Sequence, residues 1–210
     1  MVAQNTVLIL LAFLGFGVVH SLTAGIAPKN RLKALFGERL VEGWYRLAYN
    51  LFSGLTFLPV LLLIALLPDR ELYRIGMPWA LIFGAIQLVG VAGLLGAFFI
   101  FDVWRFLGIK QAFAFLSGEP LPLPPEPLQI KGLYTLTRHP LYSFSLLVIW
   151  FTPIMTLNVL LFNICATLYI IFGSLVEEGR MERAYGEQYR AYRRRVSWLI
   201  PWPPRRDDSF

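Results

Sequence analysis

Charge is what this chain has least of. Asp, Glu, Lys and Arg make up 15% of its 210 residues, against about a quarter in an average soluble domain. That shortage excludes an ordinary soluble globule. Cysteine is nearly absent too: Cys165 stands alone, so no disulfide can form within the chain, and its place in an apolar run suits simple packing. Histidine occurs only at positions 20 and 139, and no metal site is assigned. The glycine-rich loop between strand and helix that marks soluble nucleotide-binding folds is missing, and no internal repeat is visible.

What is present is apolar. Hydrophobic residues account for 57% of the chain, and mean hydropathy is +0.59. Val2 to Leu22, Leu47 to Pro68, Met77 to Phe101 and Pro140 to Val176 contain no Asp, Glu, Lys or Arg. A membrane span needs roughly 20 such residues to cross about 30 Å of hydrocarbon. The last run has 37 residues, which as one helix would reach roughly 55 Å, too long for one crossing. Thr152, Pro153 and Thr156 followed by Asn158 divide it. The reading is a helical hairpin, 140–157 and 159–176, and an all-α integral membrane protein of five spans: 2–22, 47–68, 77–101 and the hairpin pair. The first run is read as a span and not a cleaved signal, because positive charge follows it and does not precede it.

Five spans put 17 of the 19 Lys and Arg on one side and only Arg70 and Arg74 on the other. By the positive-inside rule the rich side is cytoplasmic and the N-terminus lies outside. The 102–139 connector, with its proline-rich stretch EPLPLPPEP (119–127), and the 177–210 tail are then cytoplasmic. The chain reads as a single membrane domain of a bacterial inner membrane. Its net charge of +6 fits flanks beside anionic lipid, not nucleic acid. Glycines 84, 90, 93 and 96 in the third span imply close helix contact, and Gln87 among them is expected to bond a neighbouring helix. In the tail, Glu178, Glu182, Tyr185, Tyr189 and Tyr192 recur every three or four residues, the stripe of a polar helix.

Chemistry concentrates at one lip. Pro140 suits the first turn of a helix, and His139 before it is pushed toward extended backbone. Arg138 beside such a helix start makes a seat for a carboxylate, and Tyr142 shares the first turn. The hairpin returns Glu177 and Glu178 to the same face. The bland alternative is an interfacial anchor of arginine, histidine and tyrosine. The two histidines are also the minimum for bis-histidine haem ligation.

The segments GLYTLTRHPLY (132–142), EE (177–178) and YGEQYRAYRRRVSWLIP (185–201) resemble the C-terminal signature of the integral-membrane methyltransferases, the superfamily of isoprenylcysteine carboxyl methyltransferase. HSLTAGIAPKNR (20–31), FDVWRFLGIKQ (101–111) and FTPIMT (151–156) resemble its bacterial branch of methanethiol S-methyltransferases and NnrU-like proteins. Leu133 and Ser197 stand where the family often has proline. Gly-Ser-Leu-Val before the glutamate pair lacks the arginine of prenylcysteine-type enzymes, which weakens that substrate.

The resemblance implies S-adenosylmethionine as cofactor, with Tyr134, Arg138, His139, Tyr142, Glu177, Glu178, Tyr189 and Arg193 lining its pocket. Arg138 would take the methionine carboxylate, and the glutamates the ribose hydroxyls or the amine. His139 would be the one dedicated base. The acceptor would be small or lipophilic, a thiol before a lipid amine or a prenylcysteine carboxylate. The alternative is a non-enzymatic accessory protein of respiratory or nitrogen-oxide metabolism.

Overall fold

A computed structural model describes residues 2–201; Met1 and the last nine residues of the expected tail, Arg205 and Arg206 among them, lie outside the described residues. The chain divides into two compact units, each made of two stretches of sequence. The first takes the residues up to Arg70 and Asp102–Glu126; the second takes Glu71–Phe101 and the residues from Pro127 onward.

The first unit is built on α1 (Val2–Thr23), α2 (Ile26–Phe36) and α3 (Glu38–Leu66). Two short helices, α5 (Val103–Leu107) and α6 (Ile109–Leu116), belong to the same unit. Between α1 and α3, Phe13, Phe16 and Phe57 pack ring on ring, and His20 bonds Tyr49 and Ser53. Gly108 turns α5 into α6 at φ +90°. A Cβ there would lie 2.3 Å from the Leu47 backbone nitrogen, so both the angle and the close approach require glycine.

The second unit carries the site. It contains β1 (Glu71–Arg74), α4 (Trp79–Ile100), a 3₁₀ turn at Gly132–Thr135 and α7 (Pro140–Trp150). It continues through β2 (Ile154–Thr156), α8 (Leu157–Tyr185) and α9 (Glu187–Arg195). As the glycine pattern implied, α4 and α7 lie in close contact: a Cβ on Gly93 would fall 2.3 Å from the Phe144 ring and one on Gly90 2.8 Å from Val148. β1 and β2 form a two-stranded antiparallel ladder, Glu71 opposite Thr156 and Arg74 opposite Ile154. That ladder is the departure from an all-α chain.

Among the described residues, four helices, α1, α3, α4 and α8, are long and apolar enough to cross a membrane. The expected fourth span at 140–157 differs. Its helix ends at Trp150 after 11 residues, about 16 Å, and the turn lies at Phe151–Thr156, not at Asn158. Pro153 is the cause. It has no N–H to donate and disfavours helix at Thr152, while its carbonyl accepts from the Ile75 N–H at 2.8 Å. Thr156 then caps α8, its hydroxyl accepting from the Val159 N–H, and Asn158 is buried inside that helix.

A helix ending among apolar neighbours leaves carbonyls without partners. Here side chains supply the donors. The Gln87 amide donates to the Val148 carbonyl at 2.8 Å, and the Asn163 amide donates to the Ile149 carbonyl at 2.6 Å. Thus Gln87 does bond a neighbouring helix, at the place where α7 stops.

The tail helix also differs from its expected form. α8 runs unbroken from the apolar segment through Glu177 and Glu178 to Tyr185. Gly186, at φ +53°, then turns the chain into α9. The stripe from Glu178 to Tyr192 is therefore divided between two helices.

Candidate functional site

Pro140 occupies the first turn of α7 with His139 at the N-cap, as the sequence implied. The first helical bond runs from the Ser143 N–H to the His139 carbonyl. Around this start the unit gathers residues distant in sequence. The Arg138 Nε donates to the Glu178 carboxylate at 2.6 Å, and its Nη1 donates to the carbonyls of Val196 at 2.5 Å and Arg193 at 3.2 Å. The His139 ring lies between two carboxylates, Nε2 3.3 Å from Glu178 and Nδ1 3.6 Å from Glu177. Tyr142 stacks on that ring at 5.5 Å between centroids.

The tail closes over the same point. The Arg138 N–H donates to the Ser197 carbonyl, and the hydroxyls of Thr137 and Ser143 donate to the carbonyls of Trp198 and Leu199. The Tyr192 hydroxyl donates to the Tyr134 carbonyl at 2.6 Å. Four consecutive carbonyls, 196 to 199, are thus held by the 137–143 turn. Thr137, Ser143 and this strap escaped the sequence reading, because uncharged hydroxyls beside a helix start look like ordinary capping residues. A pairing 56–61 residues away leaves no local signal.

The eight residues assigned from sequence, Tyr134, Arg138, His139, Tyr142, Glu177, Glu178, Tyr189 and Arg193, all belong to the second unit, but they are not equivalent. Arg138 and Glu178 are buried against each other. The Glu178 side chain is 10% exposed and Glu177 40%, so only the second presents its carboxylate outward. Arg193, half exposed, touches Glu178 and Glu182 loosely at 3.6 Å each.

Burial opposes a charge on His139, but the Glu177 and Glu178 carboxylates outweigh it and raise its pKa above the ordinary histidine value. Burial, then Glu177, pushes the Tyr134 phenol up to about 12. Burial, then Glu178, does the same to Tyr189, and burial also raises Tyr192. These three phenols stay neutral and can donate or accept. The arrangement therefore offers one outward carboxylate, neutral phenols and a half-free guanidinium beside an apolar unit, a set suited to a cationic ligand that also carries hydroxyls and a carboxylate.

Haem ligation fits poorly. Both nitrogens of each imidazole are engaged, His20 with Tyr49 and Ser53 and His139 with the two glutamates.

A family model described as phospholipid methyltransferase matches residues 81–188, just over half of the chain. Methanethiol S-methyltransferase 1 of Bradyrhizobium diazoefficiens is 29% identical over 95% of this chain and 68% of its own length. A methanethiol S-methyltransferase of a Pseudomonas species is 30% identical over 89% of the chain and 69% of its own length. One from Mycobacterium tuberculosis is 37% identical over 58% of the chain, which covers 49% of that longer protein. No solved structure matches.

Proposed function

The chain belongs to the phospholipid methyltransferase family, a multi-pass membrane group, and on that premise we propose that it transfers a methyl group from S-adenosylmethionine to a small thiol at the lip of α7. Membrane methyl transfer follows from the family. The donor, the acceptor and the membrane face are our reading.

The observation that carries it is the outward Glu177 carboxylate ringed by Tyr134, Tyr142 and His139 within the matched residues. The sulfonium supplies an already activated methyl group, so the protein has only to bind, orient and exclude water. The residues fit such a donor. Glu177 complements its cationic end, the phenols meet its hydroxyls, and the tyrosine faces suit a sulfonium by cation–π attraction.

Arg138 is assigned differently from the sequence expectation. Its guanidinium is already committed to Glu178 and to two tail carbonyls, so it ties the site together. Arg193, which is half exposed and makes only long contacts, takes the donor carboxylate instead. Glu178 joins Arg138 among the ties, and Tyr189 packs beside them. His139, wedged between two carboxylates, is a positioning group and a poor base while it carries its proton.

The thiol acceptor rests on the names of the relatives and on the intrinsic nucleophilicity of thiolates. The site would lie in the cytoplasmic membrane, facing inward, with the N-terminus outside. A fifth crossing would then be made by α7, about 16 Å long, together with the turn and the β2 strand that lead on to α8.

The test is calorimetric titration of the detergent-solubilised protein with S-adenosylhomocysteine, then thioether detection from methanethiol and S-adenosylmethionine. Saturable binding and thioether formation are expected. Binding without turnover of any thiol would refute the acceptor. Absence of binding would point to a non-enzymatic accessory role.

A further inference from the structure

Tyr169, Gly173 and Glu177 stand four residues apart on α8, one above another on a single face. The Glu177 end of that face is the open carboxylate. The atom that a Cβ on Gly173 would face is the Tyr142 hydroxyl oxygen of α7, so this face of α8 is turned toward Tyr142. Midway along it the side chain is missing. A Cβ on Gly173 would meet just one atom within 4 Å among the described residues, the Tyr142 hydroxyl oxygen, at 3.8 Å. At Gly90 and Gly93 glycine serves close packing, since an added Cβ would collide with α7 at under 3 Å. Gly173 does no such work. Its neighbours Phe172, Leu175 and Val176 are exposed apolar residues, so the gap adjoins the lipid-facing surface. Where a helix has no steric need for glycine, its cost in conformational freedom calls for another reason.

We propose that the gap at Gly173, between the Tyr142 hydroxyl and α8, seats the methyl acceptor, and that its width restricts the reaction to thiols with small alkyl groups. This rests on the thiol reading above and adds the residue that sets acceptor size. A thiol entering from the apolar side brings its sulfur to the Tyr142 phenol, one helical turn from Glu177. The acceptor sulfur forms a bond to the methyl carbon, and the bond from that carbon to the donor sulfur breaks, leaving a neutral thioether. The acceptor S–H becomes strongly acidic as its sulfur is alkylated. Its proton passes to the Glu177 carboxylate, directly or through the Tyr142 hydroxyl. One positive charge disappears from the donor and one negative charge from Glu177, so the site ends neutral. Glu177 is 40% exposed and returns the proton to water.

The test uses the full-length protein in detergent with S-adenosylmethionine and methane-, ethane- and butanethiol. Gly173→Ala places a Cβ at an ordinary contact distance, so the variant should fold and bind S-adenosylhomocysteine within about twofold of the parent. One methylene in a fitted pocket changes kcat/KM by about 10- to 200-fold. The alanine variant should therefore lower the butanethiol-to-methanethiol ratio of kcat/KM about tenfold or more. Gly173→Leu should remove ethanethiol and butanethiol turnover while cofactor binding persists.

Ratios across the three thiols that match the parent's in the alanine variant would overturn the proposal, whether or not the leucine variant folds. A parent protein that binds S-adenosylhomocysteine yet methylates none of the three would instead sink the thiol reading, and this proposal with it. The two failures are told apart because the second appears in the parent.

Discussion

Arg138→Ala separates a residue that ties the site from one that binds the donor. The side chain holds Glu178 at 2.6 Å and the carbonyls of Val196 and Arg193 at 2.5 and 3.2 Å. Removing one partner of a buried ion pair costs about 3–5 kcal/mol, because the other charge is left uncompensated. Here the lower end applies: Glu178 would keep His139 at 3.3 Å and Arg193 at 3.6 Å. A loss of about 3 kcal/mol multiplies the population with the tail detached more than a hundredfold, at about 1.4 kcal/mol per decade.

Amide hydrogen exchange of residues 193–199 by mass spectrometry reads that population directly. Exchange there should accelerate by that factor, with little change in α4. Glu178→Gln should act in the same direction, and the double variant should fall short of the sum by a coupling of about 0.5–3 kcal/mol. Cofactor affinity would fall as well, but only as a consequence of the open tail. The reasoning is refuted if Arg138→Ala leaves 193–199 protected as in the parent while S-adenosylhomocysteine binding weakens. Arg138 would then be a ligand contact, as its sequence position first implied.

Other outcomes follow from the same contacts. The raised pKa of His139 means that its charged form stabilises the fold; the contribution is complete below the unfolded value of about 6.5 and is lost as pH rises through the higher folded value. The thermal midpoint in detergent should therefore fall across that window, and His139→Gln should flatten the profile; an unchanged slope would deny the bridge to Glu177 and Glu178. Gln87→Leu or Asn163→Leu leaves a carbonyl at the end of α7 without its donor and should cost about 1–3 kcal/mol each, read as a lowered midpoint; equal midpoints would show that the carbonyls find other partners. A reporter fused after Phe210 should score as cytoplasmic, and a periplasmic score would cancel the fifth crossing.

The long apolar runs fixed the helical class, and α1, α3, α4 and α8, the helices long and apolar enough to cross a membrane, lie along those runs, since hydrophobicity over 20 residues is a strong and local signal. The lip was legible for a different reason. Pro140 after His139 marks a helix start by backbone sterics alone, and a returning helix had to bring Glu177 and Glu178 back. The α7 boundary was misplaced because Asn158 looked like a turn residue, whereas its amide is buried in α8 and Pro153 is the breaker. No residue-by-residue pattern could reveal that a two-stranded ladder with Glu71–Arg74 would absorb the chain after Trp150. The strap at 196–199 was illegible too: its bonds use backbone carbonyls, which every residue possesses.

Among the charged residues at the lip, burial separates roles that sequence could only group. Arg138 and Glu178 satisfy each other inside, where an unpaired charge would be prohibitive, and their pairing pins the tail to the start of α7. A group so fully answered by the protein has little capacity left for a ligand. Glu177 and Arg193 make no ion pair closer than 3.6 Å among the described residues, and their side chains reach water. A donor carrying a cationic centre and a carboxylate would answer both at once, drawing α8 and α9 toward the same molecule. On this reading the neighbouring glutamates divide the work, Glu178 holding the tail in place and Glu177 facing what the tail encloses. Exchanging them should show it: Glu177→Gln should weaken S-adenosylhomocysteine binding with the tail still protected from exchange, whereas Glu178→Gln should release the tail first.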